Sequence, residues 1–71
     1  MDNQAIRELQ TALSALGFDC LINGELDQAT RLAIEDFQRN ERLAVSGEPD
    51  DETIAAIERL RHAWEGKDTR T

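Results

Sequence analysis

The sequence predicts an all-α fold, a three-helix bundle in one small domain. Three stretches space their apolar residues three and four positions apart, which gives a helix one buried face. The last two stretches begin within the same phrase, Gly-Glu-x-Asp-x-x-Thr-x-x-Ala-Ile-Glu, at 24–35 and 47–58. With 71 residues the chain has room for one thin core, because a domain of this size buries only roughly 60% of its unfolded surface.

The first helix is predicted at about 4–16. Asp2 or Asn3 can cap its start, since a short polar side chain there accepts a bond from an unpaired backbone amide. Gly17 supplies the left-handed residue that commonly ends a helix. The apolar face of this helix consists of Ile6, Leu9, Leu13 and Leu16.

The second helix is predicted at about 28–40 and the third at about 51–64. We expect Trp64 to cover the core over the first helix. The domain then spans 1–65, and the polar segment 66–71 is expected to be a disordered tail. The predicted core consists of Leu9, Leu13, Leu16, Ala33, Ile34, Phe37, Ile57 and Leu60.

The repeated motif predicts two helix starts. Asp27 and Asp50 occupy the N-cap position, where a carboxylate accepts bonds from free backbone amides. Thr30 and Thr53 follow three residues later, where a hydroxyl can bond back to the amide of the cap residue. The alternative is a calcium loop at 19–30. Such a loop needs an oxygen ligand at its third position and a bidentate Glu at its last. This loop has Leu21 and Thr30 at those positions. We therefore predict no metal and no cofactor.

Composition argues against several classes of function. The net charge of −7 disfavours nucleic acids and anionic membranes, and no apolar run approaches the ~18 residues of a membrane span. No nucleophile, phosphate-loop or metal-ligand motif is present, so we predict no enzymatic activity. Cys20 is expected to be a small core residue, and His62 is expected to face solvent or to lie beside Trp64. The N-terminus does not resemble a secretory signal, which indicates either a cytosolic chain or a domain excised from an exported one.

The order of residues resembles the peptidoglycan-binding domain of the small three-helix type, over about 6–60. The matching positions are Leu9-Gln10, Leu13, Leu16-Gly17-Phe18, Asn23-Gly24, Leu26, Thr30, Ala33-Ile34, Phe37-Gln38, Leu43, Val45, Gly47, Asp50, Thr53 and Ile57. The chain departs from the family pattern at Asn23 and Ser46, where the family has Asp, and at Asp27 and Arg42, where it has Gly.

By this resemblance the ligand is peptidoglycan, through its stem peptide and adjacent sugar, in a shallow groove near the loop between the first two helices. Asn23 and Gln38 would hydrogen-bond amides, Arg31 would pair with a carboxylate, and Phe18 and Ile22 would pack against apolar ligand surface. Leu26 is expected to pack inward. An alternative for Gln10 and Gln38 is that they bond the loop backbones beside them.

The resemblance implies a non-catalytic module that directs a larger envelope protein or lytic enzyme to the bacterial cell wall, in the periplasm or cell envelope. The alternative is a protein–protein interaction domain that keeps the fold without binding the wall. A third reading is an inhibitory propeptide domain of a metalloprotease. It fits less well because such a domain needs a cysteine after the last helix, and Cys20 precedes the second.

Overall fold

The computed structural model describes the backbone of residues 2–69 and the side chains of residues 2–63. Over that backbone the chain forms three helices and no strand: α1 at Asn3–Ala15, α2 at Gln28–Asn40 and α3 at Asp51–Thr69. The all-α three-helix prediction is confirmed, and the starts of all three helices lie within one residue of the predicted positions.

The first two helices end in the same way. After α1, the amide of Phe18 donates to the carbonyl of Leu13 at 2.8 Å, and Gly17 has a φ of +99°. After α2, the amide of Leu43 donates to the carbonyl of Gln38 at 2.8 Å, and Arg42 has a φ of +61°. This six-residue closure with a left-handed residue is the Schellman motif. Gly17 ends α1 as predicted, whereas Arg42 holds a backbone conformation that favours glycine.

The core lies where the three helices meet, and it contains most of the residues predicted for it. Leu16 and Leu60 are the exceptions, because they are half-buried and pack against its edge. The small side chains of Ala12 and Ala56 are buried as well, which allows α1 and α3 to approach closely. The buried apolar residues are Leu9, Ala12, Leu13, Ala33, Ile34, Phe37, Ala56 and Ile57.

The third helix is longer than predicted. It continues to Thr69, through residues 66–69 of the segment expected to be a disordered tail. Residues 70 and 71 of that segment lie outside the described residues. The side chain of Trp64, expected to cover α1, also lies outside them.

Candidate functional site

A buried glutamine fastens the loop between α1 and α2. Gln10 has no solvent exposure, and its Nε2 donates to the carbonyl of Glu25 and the hydroxyl of Thr30, each at 2.8 Å. Its Oε1 accepts from the backbone amides of Asn23 and Gly24 at 3.0 and 2.9 Å. We call this set the first latch: Gln10, Asn23, Gly24, Glu25 and Thr30.

The loop between α2 and α3 repeats this arrangement around Gln38. The Nε2 of Gln38 donates to the carbonyl of Glu48 at 3.0 Å and to the hydroxyl of Thr53 at 2.9 Å. Its Oε1 accepts from the amides of Ser46 and Gly47 at 2.9 and 3.0 Å. The second latch is therefore Gln38, Ser46, Gly47, Glu48 and Thr53. The alternative reading of both glutamines, as residues that bond the loop backbones beside them, is confirmed.

Each latch leads directly into a helix cap. Asp27 Oδ1 accepts from the amide of Thr30 at 3.0 Å, and Asp50 Oδ1 accepts from the amide of Thr53 at 3.2 Å. The two N-cap assignments are thus confirmed. The threonine hydroxyls behave differently from the prediction, since each donates to the cap carboxylate, at 2.8 and 2.6 Å, rather than bonding the cap residue's amide.

These bonds also perturb the two carboxyl groups. The backbone amide of Thr30 is the main cause that lowers the pKa of Asp27 below its ordinary value, followed by the side chains of Asn23 and Thr30. For Asp50 the hydroxyl of Thr53 is the main cause of a lowered pKa, followed by the Thr53 amide. A carboxylate that accepts several hydrogen bonds is favoured in its charged form.

The same bonds occupy both carboxylate oxygens of Asp27, in the loop that resembles a calcium site. Asp27 Oδ1 accepts from the backbone amide and the hydroxyl of Thr30, and Asp27 Oδ2 accepts from the side-chain amide of Asn23 at 3.1 Å. Within the described residues, no group of three or more His, Cys, Asp or Glu side chains is placed to hold a metal ion.

Two of the three predicted binding residues in the loop that follows α1 are apolar. Phe18 is half-buried and meets Phe37 edge to face, with ring centroids 5.6 Å apart. Ile22 keeps 49% of its surface exposed. Phe18 is therefore anchored to the core through one aromatic contact, and Ile22 offers apolar surface to solvent. Leu26 is half-buried against the core, as expected.

Asn23 and Arg31 are both exposed, and the side chain of each bonds to other residues of the chain. Asn23 Oδ1 accepts from the backbone amide of Glu25 at 3.0 Å and lies 3.0 Å from Gln10 Nε2, whose two N–H groups are shared among three acceptors. Its side-chain amide donates to Asp27 through one N–H, and an Asn amide carries two. Arg31 forms an ion pair with Glu48, which connects the first turn of α2 to the second loop.

Gln38 is placed differently from the expectation. It has no solvent exposure, and both of its polar atoms are bonded within the second latch. A ligand cannot reach this amide in the structure, so its direct role is to hold the second loop. Of the five predicted residues, Phe18, Ile22 and Asn23 share one loop, whereas Arg31 and Gln38 contact the other loop.

A cleft between α1 and α3 contains none of these five residues. Its volume is about 120 Å³. The floor includes the buried residues Leu9, Ala12 and Ile57, and Glu8 and Glu58 are exposed on α1 and α3. Local spacing did not predict this cleft, although Glu8 adjoins the buried Leu9 and Glu58 adjoins the buried Ile57. The lining residues are Ala5, Glu8, Leu9, Ala12, Ile54, Ile57, Glu58 and Arg61.

Cys20 lies at the edge of the core rather than inside it, and His62 is exposed, which is one of its two predicted placements. Cys20 is half-buried against the core, and its Sγ lies 3.8 Å from the carbonyl oxygen of Gln10. Burial is the main cause that raises the pKa of the thiol, and the charge of Asp27 adds to it. A raised pKa reduces the thiolate fraction on which nucleophilic reactivity depends. His62 is exposed on α3.

Comparison with known proteins assigns the chain to a family. Among the described residues, no helix is both long and apolar enough to cross a membrane. No curated protein and no solved structure gave a significant match. The model of the family described as "Putative peptidoglycan binding domain" matches residues 2–57, which include both latches and both helix caps. The chain therefore belongs to this peptidoglycan-binding domain family.

Proposed function

We propose that this domain is a non-catalytic module that binds peptidoglycan and directs a larger envelope protein or lytic enzyme to the cell wall. The observation that carries the proposal is the family match over residues 2–57. The latches support it, because they give both loops a defined shape without relying on a large core. A binding loop held in one conformation loses less entropy when it meets a ligand.

The proposed contact surface is the loop after α1 with the adjacent first turn of α2. Ile22 would pack against apolar ligand surface, and Phe18 would support that loop from the core side. Asn23 would donate its second side-chain N–H to a ligand carbonyl, since its first N–H donates to Asp27 and its Oδ1 accepts within the first latch. Arg31 would bind a carboxylate of the stem peptide by exchanging its bond to Glu48. Gln38 would act indirectly, through the second loop.

Co-sedimentation with purified peptidoglycan sacculi tests the proposal. The unchanged domain should pellet with sacculi, and Ile22→Ala should reduce the bound fraction without unfolding the domain, because the side chain is 49% exposed. Val45→Ala is the matched control: Val45 precedes Ser46 of the second latch as Ile22 precedes Asn23 of the first, and it is 48% exposed. Equal losses in both variants would contradict the choice of the first loop.

The negative charge of the domain should make its binding to sacculi depend on salt concentration. The chain carries a net charge of −7, and wall polymers are often anionic, so the two repel at long range. Salt screens that repulsion over a distance of about 8 Å at physiological ionic strength. Binding should therefore improve between low and moderate salt. Failure to pellet at moderate salt would remove the wall-binding proposal and favour the protein–protein interaction domain.

The cellular setting belongs to the same proposal. A wall-binding module would work in the periplasm or cell envelope of a bacterium, attached to a partner domain in a longer exported chain. The complete gene tests this directly. A signal peptide and an attached hydrolase would support wall targeting, whereas a cytosolic protein without either would contradict it.

A further inference from the structure

We infer that the cleft between α1 and α3 binds the side chain of a diamino acid in the stem peptide, an aliphatic chain that ends in an ammonium group. This inference rests on the proposed function, because it takes peptidoglycan as the source of the peptide. The cleft lies apart from the loop surface and would form a second point of contact with the same polymer.

The small volume of the cleft favours an unbranched chain. Its volume of about 120 Å³ is well below the roughly 300–1,000 Å³ of pockets that enclose a drug-sized ligand. A sugar ring with its substituents needs more room and more polar partners than this site provides. The floor of Leu9, Ala12 and Ile57 is apolar, so methylene groups would lose water there favourably.

Charge at the cleft favours a cationic end. Glu8 lies on α1 and Glu58 lies on α3, so the two glutamates line the cleft from different helices. Arg61 also lines the cleft and already takes part in an interaction within the chain. A Lys-type side chain matches this arrangement, because such chains lay their stem along apolar surface and keep the ammonium at the polar edge.

Soluble probes test the cleft itself. Nα-acetyl-lysine amide should shift the backbone amide NMR signals of Ala5, Leu9, Ala12 and Ile54. Nα-acetyl-norleucine amide, which shares the stem but lacks the ammonium group, should shift them less. Removing both carboxylates with Glu8→Gln/Glu58→Gln should weaken lysine-probe binding about fivefold, as expected for two exposed ion pairs, and should abolish its advantage over norleucine. Equal shifts from the two probes would overturn the inference.

The control variant is Asp36→Asn/Glu52→Gln, which removes two exposed carboxylates that do not line the cleft. It changes the net charge equally and should leave the lysine-probe titration unchanged. If it weakens binding as much as the cleft variant does, the effect is one of overall charge and the inference fails. Cleft signals that shift with protein concentration alone would show that a second copy occupies the site, which would also overturn it.

Sacculi separate this inference from the function on which it rests. Acetylation converts free wall amines to neutral amides, so the unchanged domain should bind acetylated sacculi less well than untreated ones. The Glu8→Gln/Glu58→Gln variant should bind both forms alike. Strong binding that is insensitive to acetylation would overturn the cleft assignment and leave the proposed function standing. Absence of binding to either form would overturn wall binding, and with it the assignment of the cleft to a wall peptide.

Discussion

The side-chain amide of Gln10 donates a buried hydrogen bond to the hydroxyl of Thr30 at 2.8 Å, across the junction of α1 and α2. Gln38 and Thr53 repeat this relationship across the junction of α2 and α3, at 2.9 Å. In both cases the threonine also donates to the aspartate that caps its helix. Each network thus couples the body of one helix to the start of the next.

The first prediction concerns the cost of removing a latch. Gln10→Met and Gln38→Met preserve much of the side-chain volume but leave two loop amides and a carbonyl without their partner. A buried group left unpaired costs about 1–3 kcal/mol. The bonds to the amides of Gly24 and Gly47 are buried, whereas the other loop groups are only part-buried, so either change should lower the free energy of unfolding by roughly 1–3 kcal/mol. Urea denaturation followed by circular dichroism measures this.

The control for this prediction is Gln4→Met, on the exposed side of α1. It should change the free energy of unfolding by less than about 0.5 kcal/mol. If the two buried glutamines prove as tolerant as Gln4, the latches do not stabilise the fold and the loops are held by packing alone.

The second prediction concerns the end of α2. Arg42 has a φ of +61° at the position where Gly17, after α1, has +99°. A left-handed conformation strains a residue that has a Cβ by about 1–2 kcal/mol, although glycine gains more freedom in the unfolded chain. Arg42→Gly should therefore stabilise the domain by about 0.5–1 kcal/mol, measured as a higher midpoint of urea unfolding. Arg39→Gly, inside α2, should instead destabilise it by about 1 kcal/mol.

The sequence predicted the helices, both aspartate caps and most of the core because these features depend on local spacing. The role of Gln10 and Gln38 could be stated only as an alternative, since their bonds join residues that lie far apart along the chain, up to Thr30 and Thr53. The interior position of Gln38 follows from the Ala33, Ile34 and Phe37 face of α2, next to which it lies. The cleft was missed because it forms only where α1 and α3 approach each other.

The third prediction concerns acid stability. The pKa values of Asp27 and Asp50 are lower in the folded chain than their ordinary values. The stability that these two carboxylates contribute is therefore complete above their unfolded pKa of about 3.9. It is lost as the pH falls through their lower pKa in the folded chain. The double variant Asp27→Asn/Asp50→Asn retains side chains that can cap a helix but do not titrate.

The measurement is the difference in urea midpoint between the unchanged domain and this variant, taken at several pH values. The unchanged domain should be the more stable one near neutral pH, and the difference should shrink as the solution is acidified below about pH 4. The other carboxylates titrate in both proteins, so their effect cancels in the difference. A difference in urea midpoint that stays constant with pH would show that the two carboxylates do not cause the predicted loss of stability in acid.

The fourth prediction uses the ion pair between Arg31 and Glu48, which are both exposed. If Arg31 binds a ligand carboxylate, Glu48 competes with that ligand for the same guanidinium. Arg31→Gln should then weaken co-sedimentation with sacculi, whereas Glu48→Gln should strengthen it, each by roughly two- to fivefold, as for an exposed pair. Both changes should have little effect on unfolding, since exposed ion pairs contribute about 0–1 kcal/mol. Parallel losses of binding in the two variants would instead indicate that the pair acts by orienting the second loop, and Arg31 would not be a ligand contact.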